Sequence, residues 1–100
     1  MTAYLVAQIH INDRETYKQY ADGFMPIFEK YKGEVLSVDD VCETLEGNWD
    51  GNRTVILGFP DKEHLLNWYN SAEYQELMQS RLKASTGNIV IAEGFVSPAS

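Results

Sequence analysis

The chain has 100 residues, 44% hydrophobic and 23% charged, a composition that predicts one globular domain over residues 1–100. Eight Lys and Arg against 15 Asp and Glu give a net charge of −7, which disfavours nucleic-acid binding through phosphate neutralisation. No apolar run approaches the roughly 18 residues that span a bilayer, no basic segment precedes an apolar stretch as in a secretory leader, and the one cysteine, Cys42, cannot close an internal disulfide, so a cytoplasmic protein that binds neither membrane nor nucleic acid is expected.

Residues 3–11 alternate with period two and predict a first strand, with Leu5, Ala7, Ile9 and Ile11 on one face and Tyr4, Val6, Gln8 and His10 on the other. Neither face is acidic or basic, so both are expected to be covered. Asn12 or Asp13 is placed to cap a helix, whose apolar stripe is Tyr17, Tyr20, Ala21, Phe24, Phe28 and Tyr31. Pro26 inside that stripe predicts a kink, eased by Gly23, and Gly33 is placed to end the helix. Residues 34–42 read as a weaker strand carrying Val35, Leu36, Val38 and Val41, and the Asp39-Asp40 pair predicts a bulge or an edge position.

Residues 43–52 form a turn region that holds Trp49, and residues 53–59 form the third strand. Asp61 caps a helix that turns Leu65, Leu66, Trp68 and Tyr69 inward. That helix breaks at Asn70-Ser71, and Ser71 caps a further helix burying Tyr74, Leu77, Met78 and Leu82. Thr86-Gly87-Asn88 reads as a turn, residues 89–96 as the fourth strand, and residues 97–100 as a frayed tail.

The order strand, helix, strand, strand, helix, strand is the ferredoxin-like α+β arrangement: an antiparallel sheet with strands one and three in its centre and the helices on one face. The open face would present Tyr4, Val6, Gln8 and His10, joined by Ile89, Ile91, Glu93 and Phe95 if the registers match. Such a surface is too apolar to leave in water, so the chain is expected to pair with itself as a homodimer through the open sheet face.

Several segments then carry a family resemblance. They are the opening strand 3–11, the Asp13 helix start with Tyr17 and Tyr20, Tyr31-Lys32-Gly33-Glu34, Leu45-Glu46-Gly47, Arg53, Phe59-Pro60, Trp68-Tyr69-Asn70-Ser71-Ala72-Glu73-Tyr74 and Ile91-Ala92-Glu93-Gly94. On these, over nearly the whole chain, it resembles a small uncharacterised bacterial family of the dimeric α/β-barrel superfamily. It departs from the commoner pattern at Arg14, where proline is frequent, and at Lys32, where glycine is. The resemblance implies the dimeric barrel fold. The wider superfamily includes cofactor-independent monooxygenases, lactone isomerases, haem enzymes and ligand sensors, and fold alone does not choose among them.

Two residues are candidate acid–base catalysts. Glu93, between Ile91 and Phe95, would have a raised pKa inside a barrel; the structural alternative is an ion pair with Arg53 or Arg81. His10 could shuttle a proton or ligate a metal or haem; a structural hydrogen bond is the plainer expectation. Arg53 and Trp49, at the mouth of the third strand, and Tyr69 and Tyr74, with hydroxyls that need partners, are candidate substrate-binding residues; for Arg53 a salt bridge to Glu46 or Asp50 is the plainer expectation. No metal-ligand spacing, phosphate loop or dinucleotide fingerprint is present, so no cofactor is expected. Two readings stay open: a cofactor-independent small-molecule enzyme of monooxygenase or isomerase type, and a non-catalytic ligand-binding or stress-associated homodimer.

Overall fold

A computed structural model describes residues 2–95. Four strands, β1 (Ala3–Ile11), β2 (Glu34–Asp39), β3 (Arg53–Phe59) and β4 (Ser85–Glu93), form one antiparallel sheet in the order β2-β3-β1-β4. Helix α1 (Arg14–Phe28) joins β1 to β2, and the consecutive helices α2 (Lys62–Tyr69) and α3 (Ala72–Ala84) join β3 to β4. This is the ferredoxin-like α+β fold. Among the described residues no helix is long and apolar enough to cross a membrane.

Local chemistry sets the boundaries. Asp13 caps α1 by accepting the N–H of Thr16, Asp61 caps α2 by accepting that of His64, and Ser71 caps α3 by accepting that of Tyr74. Ser71 also donates its hydroxyl to the Trp68 carbonyl at 2.8 Å. The break between α2 and α3 is therefore held closed, and the Trp68 and Tyr74 rings pack at a 42° tilt with centroids 4.2 Å apart. Helix α1 runs through Pro26 and tightens after Phe28 into a 3₁₀ turn, Glu29–Tyr31. The left-handed residue that ends it is Lys32, at φ 61°, rather than Gly33. Gly33 is needed for space: a Cβ there would collide with the Phe28 ring and lie 2.8 Å from Phe59 Cε2.

The buried face of the sheet carries Ala3, Leu5, Ala7, Ile9 and Ile11 with Leu57 and Phe59, packed against Tyr17, Tyr20, Phe28, Leu65, Trp68 and Tyr74. The opposite face of β1 carries Tyr4, Val6, Gln8 and His10 without a helical cover, as the alternation predicts. β2 is an edge strand and does contain a bulge, but at Val35–Ser37 rather than at Asp39-Asp40.

Two expectations about the C-terminal third are corrected. Thr86-Gly87-Asn88 is not a turn. β4 starts at Ser85, directly after α3, because the Asn12 and Asp13 N–H groups bond to the Ala84 carbonyl and draw the chain straight into register beside β1. Gly87 pairs with Ile9 inside the sheet. Leu82 is also not buried, at 53% exposure; α3 turns Arg81 inward instead. The expected end of the last strand, Val96, and the tail 97–100 lie outside the described residues.

A Cβ on Gly87 would sit 2.6 Å from the Gln8 carbonyl oxygen, a backbone atom that cannot move aside without disturbing the sheet. Gly87→Ala should therefore destabilise the fold by about 2 kcal/mol, an overpacking cost, read as a lowered urea midpoint at unchanged slope.

Candidate functional site

A cavity of about 290 Å³ lies between the buried face of the sheet and the helices. Protein interiors are normally filled to crystal density, so a void of this size reflects the residues around it. Phe28, Phe59 and Trp68 fill one end of the interlayer space, Phe28 edge to face with the other two and those two tilted at 33°, with centroids 5.4 to 5.6 Å apart. Farther along β1, Ala7 faces Val55 on one side and Ile89 on the other, and Ala21 sits on α1. These side chains are too short to meet across the gap. Met25, Val35 and Val38, which are 42%, 39% and 53% exposed, line the cavity where α1 approaches the β2 edge. Their exposure has a reason: they form the rim.

Among the described residues the wall is apolar except for six side chains: Tyr17, Tyr20 and Tyr74, the indole of Trp68, and the guanidinium groups of Arg53 and Arg81. Tyr20 and Tyr74, from α1 and α3, share a buried hydrogen bond of 2.7 Å between their hydroxyls. Burial holds both hydroxyls above the ordinary tyrosine pKa, Tyr20 well above it, and Tyr17 is raised for the same reason. All three are neutral donors at physiological pH. Whichever member of the Tyr20–Tyr74 pair donates to the other, one hydroxyl proton remains for a third group.

The two arginines differ. Arg53, at the start of β3, grips Asp40 with two hydrogen bonds, Nε to Oδ1 at 2.6 Å and Nη2 to Oδ2 at 2.9 Å, and its Cζ lies 5.3 Å from the Tyr17 ring centroid. The partner is therefore Asp40, not Glu46 or Asp50. The chain reaches it because β2 ends at Asp39, across from Thr54 on β3. Arg14 adds a longer contact to the same carboxylate at 3.3 Å. Arg81 is only 7% exposed and has no carboxylate within ion-pair distance among the described residues. Its Nε–H lacks any acceptor. Its Cζ lies 5.9 Å from the Tyr20 ring centroid, a cation–π contact worth up to about 2 kcal/mol, whereas desolvating a guanidinium costs several kcal/mol. The contact does not offset that cost.

Of the residues singled out from sequence, Arg53 and Tyr74 line this cavity and the others do not. Tyr69 stands behind the wall, its ring packed on Trp68 and Tyr74 at 6.1 and 5.7 Å. Trp49 lies in the loop between β2 and β3 and donates its Nε1–H to Thr54 Oγ1 at 2.9 Å. Glu93 and His10 are not neighbours. The register pairs Glu93 with Ala3 and His10 with Thr86, so seven β1 positions separate them, about 23 Å at roughly 3.3 Å per residue. They also lie on opposite faces. Ile89, Ile91 and Glu93 share the helix-side face with Ala7, Leu5 and Ala3, and the open face of β4 carries Thr86, Asn88, Val90 and Ala92. The expected alignment of Glu93 with His10 is thereby corrected. Neither arginine pairs with Glu93 among the described residues. Tyr17, Tyr20 and Arg81 were absent from the sequence candidates. The available signal was the spacing of Tyr74 and Arg81, two helical turns apart on one face.

Residues 2–95 match the family described as "Domain of unknown function (DUF1330)". The chain belongs to this family. Among curated proteins none matches it. Similar solved structures include a protein of unknown function from Rhodopseudomonas palustris, with TM-score 0.78 and 15% identity over 96% of this chain and 84% of that one. They also include SnoaB, a cofactor-independent oxygenase from Streptomyces nogalater, with TM-score 0.63 and 11% identity over 99% and 98% of the two chains. HapK from Hahella chejuensis aligns with TM-score 0.65 and 11% identity over 95% and 94%. At these identities the likeness concerns the fold alone.

The Arg53 hydrogen bonds hold the Asp40 pKa down to about 2 from 3.8. A depressed carboxylate stabilises the fold above its unfolded value, and the contribution is lost as pH falls from about 4 through about 2. Asp40 is 34% exposed, so screening trims the pair to roughly 1 kcal/mol. Asp40→Asn should lower stability by that amount at neutral pH and flatten this part of the acid limb, as read by urea unfolding across the window.

Proposed function

We propose that this DUF1330 protein binds a small, largely apolar molecule in the cavity between sheet and helices and acts on it without a cofactor, as a catalyst of monooxygenase or isomerase type. The observation that carries this reading is the convergence of neutral tyrosine donors on one apolar chamber, above all the Tyr20–Tyr74 pair with its free hydroxyl proton. Both chemistries pass through an enolate-like species. An isomerase returns its proton to a different atom; a monooxygenase lets dioxygen take its electrons, one oxygen atom entering the product and the other leaving as water. A fixed O–H donor in a largely apolar site stabilises the developing oxyanion. Arg53, already immobilised by Asp40, and Tyr17 would orient the molecule near the mouth. The fold shared with SnoaB is compatible with this and supplies no residue roles.

The non-catalytic reading, a ligand-binding or stress-associated dimer, is favoured by one observation: among the described residues no carboxylate or histidine lines the chamber, so a base would have to be the tyrosine pair or the substrate's own acidity. Turnover separates the two. A thermal-shift series of small aromatic acids and lactones should reveal ligands that raise the melting temperature. With such a ligand, Tyr20→Phe and Tyr74→Phe should each lower kcat by about 100-fold while binding persists, the loss typical of one oxyanion donor. Ala21→Trp, at the exposed rim, should abolish binding without lowering the melting temperature. Ligands that bind this variant unchanged would place the site elsewhere.

The homodimer belongs to the same proposal. Tyr4, Val6, Ile56, Leu36, Val90 and Ala92 make an apolar centre on the uncovered sheet face, where Val90 is 58% exposed and Leu36 45%. A second copy presenting the same face would cover it. The cytoplasm suits the exposed, unpaired Cys42. Val90→Arg should convert a dimer into a folded monomer in sedimentation; a wild-type chain that sediments as a monomer at micromolar concentration removes the assembly.

A further inference from the structure

The cavity holds two guanidinium groups and one answering carboxylate. Asp40 neutralises Arg53 through both of its oxygens. Arg81 is buried on the same wall with no carboxylate beside it among the described residues, and the flanking tyrosines are held protonated by burial, so none supplies a negative charge. Among the described residues the site therefore carries one uncompensated positive charge.

A second observation points the same way. Two buried side-chain polar atoms lack any partner among the described residues: Arg81 Nε and Trp68 Nε1. Both are N–H donors, and both residues line the cavity. The Tyr20–Tyr74 pair adds a third unanswered donor, since one of its two protons is not used within the pair. Among the described residues each of these three groups lacks an acceptor, and none lacks a donor. Such groups are rarely left orphaned in a native interior, and of the acceptors available to a ligand, a negatively charged carboxylate or enolate oxygen suits the Arg81 guanidinium best. The rest of the wall is aliphatic or aromatic, and the volume is near the lower end of small-molecule sites, roughly 300 Å³ and above.

We propose that the natural ligand of this cavity is a monoanion with a compact apolar body about the size of one ring, seated with its anionic oxygen on Arg81. Arg81 is thereby the specificity-determining residue, selecting charge, while the aliphatic wall selects size. A dianion would bring a second charge with no cation to meet it, since Arg53 is already engaged by Asp40. This inference rests on the cavity being a ligand site, and the test separates the two ideas.

Benzoate and benzamide match in shape and differ in charge. On the unmodified protein, benzoate should bind at least tenfold more tightly than benzamide by calorimetry, and phthalate should bind more weakly than benzoate. Arg81→Met should reduce benzoate affinity at least tenfold and leave benzamide affinity within about threefold. Without ligand this variant should melt no lower than wild type, because it removes a buried unpaired charge; an arginine with a purely structural role would lower it. If the variant fails to fold, the benzoate-to-benzamide ratio on the wild-type chain decides alone. Equal binding of the two probes overturns the anion assignment and leaves the cavity a site for neutral molecules. Binding of neither overturns the assignment together with the reading of the cavity as a ligand site.

Discussion

The structure depends on how one layer of helices meets one sheet. Trp68, Phe28 and Phe59 lock the two layers together at one end, where each ring meets its neighbours at centroid distances below 6 Å. Large rings set the spacing there. Alanine and valine then fail to fill that spacing farther along β1, and close packing, the ordinary state of a protein interior, is given up. The chamber is thus a consequence of residue size along two strands and one helix, with the aromatic cluster acting as a strut.

That arrangement also explains why the hydroxyls on the wall come from tyrosine. The stripe of α1 must be apolar enough to face the sheet, yet a chamber open at its rim admits polar ligands or water. Tyrosine satisfies both, offering a ring to the core and a hydroxyl to the void. The arginines follow the same logic unequally. Arg53 enters β3 beside the mouth, where the end of β2 delivers Asp40. Arg81 comes from α3, deeper in, where nothing acidic follows. Two like residues in one cavity thereby have opposite roles, one fixed in an ion pair and one left available.

The two faces of the sheet pose separate problems. The helices answer the first and leave a chamber. The second face, with Val6, Ile56 and Val90 at its centre, has no helical cover among the described residues. Because β1 alternates strictly, every residue that strengthens one face leaves the other to its neighbours, so the chamber and the open surface are two products of the same strand.

Much of the fold was legible in the residues themselves. The period-two run of β1, the capping residues Asp13, Asp61 and Ser71, and the break at Asn70 are local: each is decided by hydrogen bonds spanning a few residues, which sequence records directly. The candidate site was legible only in part, through Arg53 and Tyr74. Where Glu93 points is decided by which residue of β4 lies opposite Ala3, and a one-residue change of register reverses every face; that register is set by hydrogen bonds to Ala84 from the far end of β1. Likewise a helical pattern alone favours burying Leu82 over Arg81, since burying a charge is costly in isolation. Only the packed structure, which places Arg81 against the Tyr20 ring at the wall of a chamber, decides that the arginine goes in and the leucine stays out.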